Sequence, residues 1–455
     1  MLNTMAITSV RWDITNRCNL SCKHCYTAVS EYQDIPYTKI VEIINKLIPL
    51  GLKEINLSGR EPTMREDLFE IINWGQKKSL KVNLTTNGTT LTGSEIEKLL
   101  MTKLNMIVFS LDGASAITHD KIRSKGSFDK TLENIKHCVK LIKENDIETK
   151  IGISFTLQKL NAGECVDIIN LCDHLQIDFL GINPISFCGS ASCRRSDLYL
   201  SPEDISHCWE ELCDSYRRIH PNWELYLGTF PMEAKFLSVK YGILLPIIYT
   251  GCSAGRTLYI DPTGRALPCY MLPPIAEEIV GLKKYLNYWN ILYEPYEKAH
   301  QSFKPFIEFA ESYSQKNNKD CEECLDIEVC RRCPLVALSD PDAIYRCQLA
   351  RKKLDALTIK IDSKTKLVIK EYVRWELNAD ILSITIKKDN YLNNKKIELS
   401  PFAKDMWIAT TKGISVENIL IELRQKWKSI STAELQKKLN EFIDYFWKEC
   451  IIGVQ

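Results

Sequence analysis

Three cysteines near the start of the chain, Cys18, Cys22 and Cys25, combine a reactive residue type with a metal-ligand spacing. They read C-x3-C-x2-C within the stretch RWDITNRCNLSCKHCYTA. Cysteine thiolates are the usual ligands of iron–sulfur clusters, and a [4Fe–4S] cube offers four irons. Three thiolates leave one iron without a protein ligand, and an open metal position is where a substrate or cofactor can coordinate. The motif therefore indicates a catalytic cluster; the alternative, a structural zinc site, usually has four protein ligands.

The spacing of these cysteines and their neighbours resemble the radical S-adenosylmethionine (radical SAM) superfamily. The resemblance implies that the free iron holds the amino and carboxylate groups of SAM. It also implies that one electron, from a donor such as a flavodoxin or ferredoxin, passes through the cluster and cleaves SAM to a 5′-deoxyadenosyl radical. The same resemblance makes Cys18, Cys22 and Cys25 the ligands of this cluster.

Further segments resemble the SAM-binding face of that superfamily, and each follows or lies near a predicted strand. The run from Ser58 to Pro62 resembles the loop whose backbone binds the SAM amino group, with Arg60 in place of a second glycine. Later segments resemble strand ends that contact the SAM ribose and carboxylate, and a His-Asp-x-x-Arg run whose arginine could pair with a carboxylate. The cofactor contacts implied are Ser58, Gly59, Arg60, Glu61, Pro62, Thr86, Asn87, Ser110, Asp112 and Arg123, with Ile153 and Ile182 flanking the adenine.

A second field of seven cysteines lies between residues 252 and 347. It resembles the SPASM domain, a C-terminal extension of radical SAM enzymes that binds two auxiliary [4Fe–4S] clusters, although one spacing is a residue shorter than usual. The resemblance implies an outer cluster on Cys321, Cys324, Cys330 and Cys347, and an inner cluster on Cys252, Cys269 and Cys333. With the N-terminal cluster this makes three.

The inner cluster has an unusual ligand count in this interpretation. No cysteine lies between Cys252 and Cys269, where some relatives have a fourth ligand, so we expect an open iron there. Zinc-ribbon sites are the alternative, but seven cysteines are one too few for two closed zinc sites of four ligands each.

Two cysteines of the stretch PISFCGSASCRRS, Cys188 and Cys193, follow the sixth predicted strand. At that position a thiol could donate a hydrogen atom or ligate a metal, and we treat both as candidate catalytic residues. The alternative is that they are passive.

Strand and helix candidates alternate through the first half of the chain. Alternation at this pitch implies a parallel sheet with right-handed crossovers, hence an α/β fold. Six units predict a partial (β/α)6 TIM-like barrel with its active face at the carboxyl ends of the strands. The predicted strands are Ser9–Ile14, Glu54–Leu57, Lys81–Thr85, Met106–Leu111, Lys150–Thr156 and Phe179–Asn183; the predicted helices are Tyr37–Leu50, Glu66–Lys77, Ser94–Met101, Phe128–Glu144 and Gly163–Leu175.

Beyond residue 250 the periodicity weakens, and few long helices are evident up to about residue 351. We therefore expect metal, rather than a large apolar core, to hold that segment. The domains predicted are a radical SAM partial barrel over residues 1–235, an iron–sulfur SPASM domain over 236–355 and a third domain over 365–455.

The third domain resembles the small winged-helix peptide-binding domain of the pyrroloquinoline-quinone chaperone type. Two apolar stripes at helical spacing carry the resemblance: Val416, Ile419, Leu420, Leu423, Trp427; and Leu435, Leu439, Phe442, Ile443, Phe446. The resemblance implies that it captures the leader of a precursor peptide as an added strand at a sheet edge. A helical cap and a DNA-binding winged helix are the alternatives, the latter disfavoured because the last helix is only mildly basic.

The composition indicates in which compartment the protein works and which classes of partner are expected. The chain has 455 residues, 18 cysteines and a net charge of +1, with no basic and apolar export signal at its start. Metal or redox use of the cysteines in a reducing cytoplasm fits better than a secreted disulfide scaffold. No apolar run reaches bilayer length, so we expect no membrane partner, and nothing points to nucleic acid.

These features favour a radical SAM/SPASM enzyme that modifies a ribosomally synthesised precursor peptide. A cross-link is the preferred product, with a thioether from a peptide cysteine ahead of a carbon–carbon bond. Epimerisation with Cys188 or Cys193 as hydrogen donor is the alternative within the class. An anaerobic sulfatase-maturing type of enzyme and a non-catalytic iron–sulfur redox or regulatory protein are the other hypotheses.

Overall fold

The computed structural model describes residues 6–26, 33–245, 253–316, 333–340, 342–388 and 391–454, with backbone alone at 314–316, 387–388, 391–395 and 454. The chain divides into two compact units. Unit 1 consists of Met1–Gly228 and Tyr249–Ile344, and unit 2 of Thr229–Ile248 and Tyr345–Gln455.

Unit 1 begins with the alternation of strands and helices that the sequence predicts, and the element ends differ by only a few residues. Thr92 and Glu95 form a reciprocal capping box at the start of the third helix, a pattern that the Thr-x-x-Glu spacing favours. The elements are β1 (Ser9–Asp13), α1 (Tyr37–Leu47), β2 (Glu54–Ser58), α2 (Leu68–Lys77), β3 (Lys81–Thr86), α3 (Gly93–Met101), β4 (Met106–Ser110), α4 (Ala116–Ile122), α5 (Ser127–Asn145), β5 (Lys150–Leu157), α6 (Cys165–Leu175) and β6 (Phe179–Pro184).

The sheet is wider than the six predicted strands. After α7 (Arg195–Leu198) and α8 (Pro202–Ile219), β7 (Glu224–Leu227) pairs in parallel with β6. At the other side β8 (Thr257–Ile260) pairs in parallel with β1, followed by antiparallel β9 (Arg265–Leu267) and β10 (Trp289–Asn290). The order is β10-β9-β8-β1-β2-β3-β4-β5-β6-β7, an open sheet with the first strand near its middle.

The two faces of the parallel strands differ in polarity. On β1 the side chain of Trp12 is fully buried, whereas Arg11 and Asp13 point to the opposite face because successive side chains of a strand alternate. The register places Asn56 beside Arg11 and Ser58 beside Asp13 on that face. One face is therefore an apolar layer and the other carries polar side chains that lead to the carboxyl ends of the strands.

In its described part, the segment after β8 contains one long helix and two short ones. It contains α10 (Leu272–Glu278), α11 (Tyr296–Lys316) and α12 (Pro334–Ser339), and α11 has 21 residues. An apolar cluster packs within the described part of this segment, and the expectation that metal also holds it stays a prediction. The buried side chains of this apolar cluster include Leu272, Ile275, Leu282, Phe306 and Leu335.

Unit 2 combines short antiparallel sheets with helices. Strands β12 (Val373–Asn378), β13 (Ile381–Lys388) and β14 (Tyr391–Glu398) form a three-stranded sheet with β13 in the centre. Strand β11 (Leu367–Ile369) pairs with β15 (Ile452–Val454). Both predicted apolar stripes face its core, where Trp407 is fully buried. The elements are α9 (Pro231–Tyr241), most of α13 (Ala343–Asp355), β11 (Leu367–Ile369), β12 (Val373–Asn378), β13 (Ile381–Lys388), β14 (Tyr391–Glu398), α14 (Pro401–Thr411), α15 (Val416–Lys426), α16 (Thr432–Lys448) and β15 (Ile452–Val454).

None of the helices within the described residues is both long and apolar enough to cross a bilayer.

Candidate active site

The loop after β1 presents Cys18, Cys22 and Cys25, all partly exposed. The backbone N–H of Leu20 donates to Cys18 Sγ at 3.4 Å, and Arg123 Nη1 donates to Cys22 Sγ at 3.9 Å. Donors directed at sulfur favour the thiolate, which is the form that binds iron. Burial raises the pKa of Cys22 to about 11, so metal binding has to displace its proton.

The donor set of this loop fits a three-ligand iron–sulfur cluster. The charges of the three thiols act on one another, so they lie in one neighbourhood, at the edge of the sheet where the parallel strands end. No three potential ligands in the described part of the chain converge on a point that would hold a single metal ion.

Neighbouring loops fix the cysteine loop in place. Asn19 accepts a hydrogen bond from the Asn87 amide at 2.9 Å, which ties the loop to the end of β3. The N–H of Ser190 donates to the carbonyl of Cys25 at 2.8 Å, which ties it to the segment after β6. Gly189 has φ +57°, and a Cβ there would lie 2.6 Å from the Cys25 carbonyl oxygen, so this close approach requires glycine.

Asp112, after β4, is a fully buried hub beside the cysteine loop. Its Oδ1 accepts the Thr156 N–H at 2.7 Å, while Oδ2 accepts from Arg123 Nε and lies 3.3 Å from His24 Nε2. The pKa of Asp112 lies below its usual value because the neighbouring charges, Arg123 first, outweigh its burial. Its oxygens are thus occupied by the chain's own donors, and the SAM contact expected of Asp112 and Arg123 stays a prediction.

Glu61 is a second buried hub, and it joins the loop after β2 to the end of β3. Its carboxylate accepts from Thr63 and Thr86 hydroxyls at 2.5 and 2.6 Å and from the Asn87 N–H at 2.7 Å. Burial raises the pKa of Glu61, partly offset by these hydrogen bonds. The predicted cofactor residues Glu61, Thr86 and Asn87 are therefore brought together: the Glu61 carboxylate accepts from the Thr86 side chain and from the Asn87 backbone.

The rest of the predicted SAM loop also converges here. Ser58 donates to Asp13 Oδ1 at 3.1 Å, and Pro62 begins a short 3-10 turn. Gly59 has φ +112°, and a Cβ would lie 3.0 Å from Asp13 Cα, so glycine permits this approach to β1. The Nε of Arg60 is buried without a hydrogen-bond partner.

The structure places two predicted residues on the other side of the sheet. Ile153 and Ile182 are fully buried in the apolar layer, whereas Ser110 and its register partner Ser154 are on the polar face and partly accessible. A contact between the side chains of Ile153 or Ile182 and adenine stays a prediction. Because side chains alternate along β5, residues next to Ile153, such as Ser154, are better placed to face a cofactor on the polar side.

Cys188 and Cys193 differ in environment. Cys188 is fully buried in the apolar cluster after β8, and burial raises the pKa of its thiol to about 12. Cys193 is exposed, with its thiol 3.6 Å from the Ser190 carbonyl. As the structure stands, only Cys193 is open to a substrate.

The second cysteine field is described in part. Cys252, Cys321, Cys324 and Cys330 lie outside the described residues. Cys269 and Cys333 pack against the same apolar cluster as Cys188, and the charges of all three act on Tyr270. Cys347 is in unit 2 and partly buried.

Several side chains that order this site were not foreseen. His24, inside the cysteine motif, lies between Asp112 and Gln158, whose amide nitrogen is 3.5 Å from His24 Nδ1. Asn161 donates to the Asp112 carbonyl at 3.1 Å, and Glu164 accepts from the Ala114 N–H at 2.6 Å. Gln158 and Asn161 directly follow β5, and that position at a strand end was the signal that could have found them.

Comparison with known proteins now defines the class. Residues 12–172 match the model of the Radical SAM superfamily. The AdoMet-dependent heme synthase of Methanosarcina barkeri is 33% identical over 367 residues, which cover 74% of this chain and 96% of that protein. The chain belongs to the radical SAM superfamily of enzymes, and membership implies a [4Fe–4S] cluster and SAM.

Other relatives share less of their length. The mycofactocin maturase MftC of Mycolicibacterium smegmatis is 32% identical over 270 residues, 57% of this chain and 63% of that protein. The Fe-coproporphyrin III synthase of Methanosarcina barkeri is 30% identical over 215 residues, 46% of this chain, and only about half of that protein (52%) is spanned.

Among solved structures, Streptococcus suis SuiB bound to its precursor peptide SuiA is similar with a TM-score of 0.58. It is 17% identical, with 74% of each chain covered. At this identity the similarity shows the fold alone, an α/β radical SAM fold, which confirms the predicted fold class.

Proposed function

We propose that this enzyme modifies a ribosomally synthesised precursor peptide. The observation that carries the proposal is that a radical SAM unit is joined in one chain to unit 2, which has helices and a small sheet. The outer sides of its edge strands β12 and β14 pair with no strand of the described residues. The similarity to MftC, a maturase, and to SuiB, which binds a precursor peptide, supports it. When bound, the cluster and SAM supply a 5′-deoxyadenosyl radical that abstracts hydrogen from the peptide.

In this proposal the chain's own residues position the cofactor. Cys18, Cys22 and Cys25 would hold the cluster, and Arg123 donates a hydrogen bond to the sulfur of Cys22. Gly59 lets the loop after β2 approach β1 closely, while the buried carboxylates of Glu61 and Asp112 hold the surrounding loops. Rigid placement matters because hydrogen abstraction needs the reacting atoms in near-contact geometry.

Leader binding is assigned to an edge of the sheet in unit 2. The pair Asn378–Ile381 closes a two-residue hairpin turn, so backbone hydrogen bonds between β12 and β13 alternate from that pair. By the same alternation, the N–H groups of Leu377 on β12 and Lys396 on β14 point away from β13. These free groups are what a peptide needs in order to add as a further strand.

Paired substitutions at these edges test strand addition. Leu377→Pro and Lys396→Pro remove an outward N–H and block pairing, whereas Leu377→Ala and Lys396→Ala keep it. At the edge that binds leader, proline should weaken the affinity for the peptide encoded in the neighbouring reading frame at least about fivefold relative to alanine. Isothermal titration is the measurement, and equal affinity of all four variants would contradict leader capture by strand addition.

The proposed product is a thioether. The inner auxiliary cluster, on Cys252, Cys269 and Cys333, would coordinate a peptide cysteine through an open iron and keep its thiol deprotonated. The 5′-deoxyadenosyl radical would remove a hydrogen atom from the peptide carbon, the carbon–sulfur bond would form, and the auxiliary cluster would take up the remaining electron. Mass spectrometry of the product distinguishes the alternatives. A thioether shows a loss of two hydrogens and one alkylatable thiol fewer, and a product that keeps every thiol rules it out.

Epimerisation would give a different mass signature. The product is unchanged in mass in ordinary water and gains one unit in heavy water, because a solvent-exchangeable thiol returns the hydrogen. The exposed Cys193 fits that donor role better than the buried Cys188. A Cys193→Ala variant that still incorporates solvent deuterium, beside a Cys188→Ala variant that does not, would reverse that order.

A tetrapyrrole is the second candidate substrate, favoured by the heme synthase that aligns over 96% of its length. Titration of the reconstituted enzyme with coproporphyrin III, followed by its Soret absorption, tests this directly. Saturable tetrapyrrole binding together with no binding of the peptide would replace the proposed function.

A further inference from the structure

The guanidinium of Arg11, on the polar face of β1, forms no ion pair with a carboxylate in the described part of the chain, and the charge of Asp13 acts on it only from beyond ion-pair distance. Among the described residues, its side chain donates one hydrogen bond, from Nη2 to the hydroxyl of Tyr26 at 3.2 Å, and its buried Nε has no acceptor. Enclosing a charge without a partner is costly, so a group that completes the site is to be expected.

Asp13, two residues further on the same face, does not fill that role. Its carboxylate accepts from the Ser58 hydroxyl at 3.1 Å and from the Tyr259 hydroxyl at 3.0 Å, and it makes no hydrogen bond to Arg11. Burial raises the pKa of Asp13, and the charge of Arg11 offsets that shift only in part. The N–H groups of Arg11 that Tyr26 leaves free are therefore available to a ligand.

The position of Arg11 indicates which ligand that is. Its Cζ lies 4.2 Å from the ring centroid of Tyr270 and 5.7 Å from that of Tyr26. Tyr26 directly follows Cys25 in the N-terminal cluster loop, and Tyr270 directly follows Cys269 in the proposed inner cluster. Arg11 thus lies between the two cysteine loops, where the part of a substrate that reacts has to be.

We propose that Arg11 binds a carboxylate of the substrate, namely an acidic side chain or the C-terminal carboxylate of the precursor peptide. The proposal rests on the peptide-modifying function above and specifies that its substrate is acidic at the reacting segment. A guanidinium suits this task because its planar N–H groups match a carboxylate in a bidentate pair. The two tyrosine rings hold the guanidinium plane in place through cation–π contact.

The site can be probed without the peptide. In thermal unfolding of the reconstituted full chain, acetate should raise the melting temperature of the wild type more than acetamide, its neutral isostere, at equal ionic strength. The Arg11→Met variant should lose that difference. Arg65→Met is the matched control, because Arg65 is already paired with Asp67 and should not bind acetate. An acetate effect that persists in Arg11→Met, or disappears in Arg65→Met, overturns the site.

A second arm separates the substrate carboxylate from that of SAM. Equilibrium dialysis should give Arg11→Met the same affinity for SAM as the wild type. A loss of SAM affinity assigns Arg11 to the cofactor and overturns the proposal.

A third arm identifies the source of the carboxylate. With the peptide from the neighbouring reading frame, Arg11→Met should bind at least about tenfold more weakly, and one Asp→Asn, Glu→Gln or C-terminal amide change in the peptide should give the same loss without adding to it. Arg11-dependent binding of coproporphyrin III alone would overturn the peptide assignment. If the wild type binds no peptide while the acetate effect stands, the proposed function fails and the anion site does not.

Discussion

Two arginines enclosed beside the N-terminal cysteine loop, Arg123 and Arg11, are in opposite electrostatic situations. Arg123 pairs with the fully buried Asp112 and also donates to Cys22 Sγ. Arg11 meets two tyrosine rings and one hydroxyl but no carboxylate. One side of the loop has an internal ion pair, whereas the cation on the other side feels the charge of Asp13 but pairs with no carboxylate of the described chain.

This difference separates a residue that positions the loops, Arg123, from one that is available to bind a ligand, Arg11. A buried ion pair that satisfies itself fixes loops, and removing one partner leaves an uncompensated charge. A charge without a partner adds little stability, and it is retained where a ligand completes it. The stability of the ligand-free protein should therefore respond strongly on the Arg123 side and weakly on the Arg11 side.

The largest effect is expected from removing the three cysteines of the N-terminal loop, which lies between Arg123 and Arg11. Replacing Cys18, Cys22 and Cys25 together with alanine should lower the iron content by about four per chain and abolish SAM cleavage. Iron analysis and 5′-deoxyadenosine formation are the measurements. The exposed Cys193→Ala is the control and should keep its iron. SAM cleavage by the triple variant would contradict the assignment of the cluster to this loop.

Asp112→Asn should destabilise the protein by about 3–5 kcal/mol, because it leaves the Arg123 guanidinium buried without its counter-ion. Denaturant unfolding is the measurement, and Arg123→Met with the double variant completes a mutant cycle in which the two losses should not add. Glu144→Gln, which breaks an exposed pair with Lys140, should cost less than about 1 kcal/mol. Equal losses for Asp112→Asn and Glu144→Gln would remove the contrast.

The stability of the protein should also depend on pH through His119, which lies beside the Asp112–Arg123 ion pair. Its Nδ1 accepts the N–H of Asp112 at 3.1 Å, and burial together with Arg123 lowers its pKa from 6.5 to about 4. Between these values the unfolded chain binds a proton that the folded chain does not, so stability is present above pH 6.5 and is lost as the pH falls towards 4. The decline should reach roughly 1 kcal/mol per pH unit.

The control is His119→Asn, which keeps an acceptor for the Asp112 N–H but does not titrate. Its stability should decline less steeply over the same window, with the remaining slope due in part to His24, whose pKa is also lowered to about 4 by burial. Parallel pH profiles for the wild type and His119→Asn in denaturant unfolding would show that His119 does not carry the effect.

The smallest effect on stability is expected from replacing Arg11. Arg11→Met should change the unfolding free energy of the ligand-free protein by less than about 1 kcal/mol or stabilise it, because an unpaired cation is replaced by an apolar side chain of similar length. Denaturant unfolding measures this on the same scale as Asp112→Asn. A loss of 3 kcal/mol or more would make Arg11 a structural residue, and the comparison would no longer hold.

The sequence predicted the alternating half of unit 1 because local signals suffice there. Apolar periodicity sets the strands and helices, and residues such as Thr92 and Gly59 mark caps and close approaches through their own chemistry. The cysteine loop and the Glu61 segment could be placed together for the same reason, since parallel strands end at one edge of the sheet.

What the sequence did not reveal depends on partners far away in the chain. Periodicity does not say that β8 pairs with β1, and β7 is only four residues long. Ile153 and Ile182 illustrate the face problem, because a shift of one residue along a strand moves a side chain to the other face. The pairing of His24 with Asp112 likewise joins two loops that no local pattern connects.

The pairing of β1 with both β2 and β8 has a consequence for biosynthesis. Ser9 lies beside Glu54 on one side and beside Thr257 on the other, so one edge of β1 has no strand to pair with until about 250 residues have followed it from the ribosome. At ordinary rates of translation that interval lasts roughly 10–50 s. During it the strand leading to the cysteine loop is an open edge that other chains can join. Iron delivered in that interval meets a loop whose supporting sheet is still incomplete, so the order of translation and metal insertion matters for this chain.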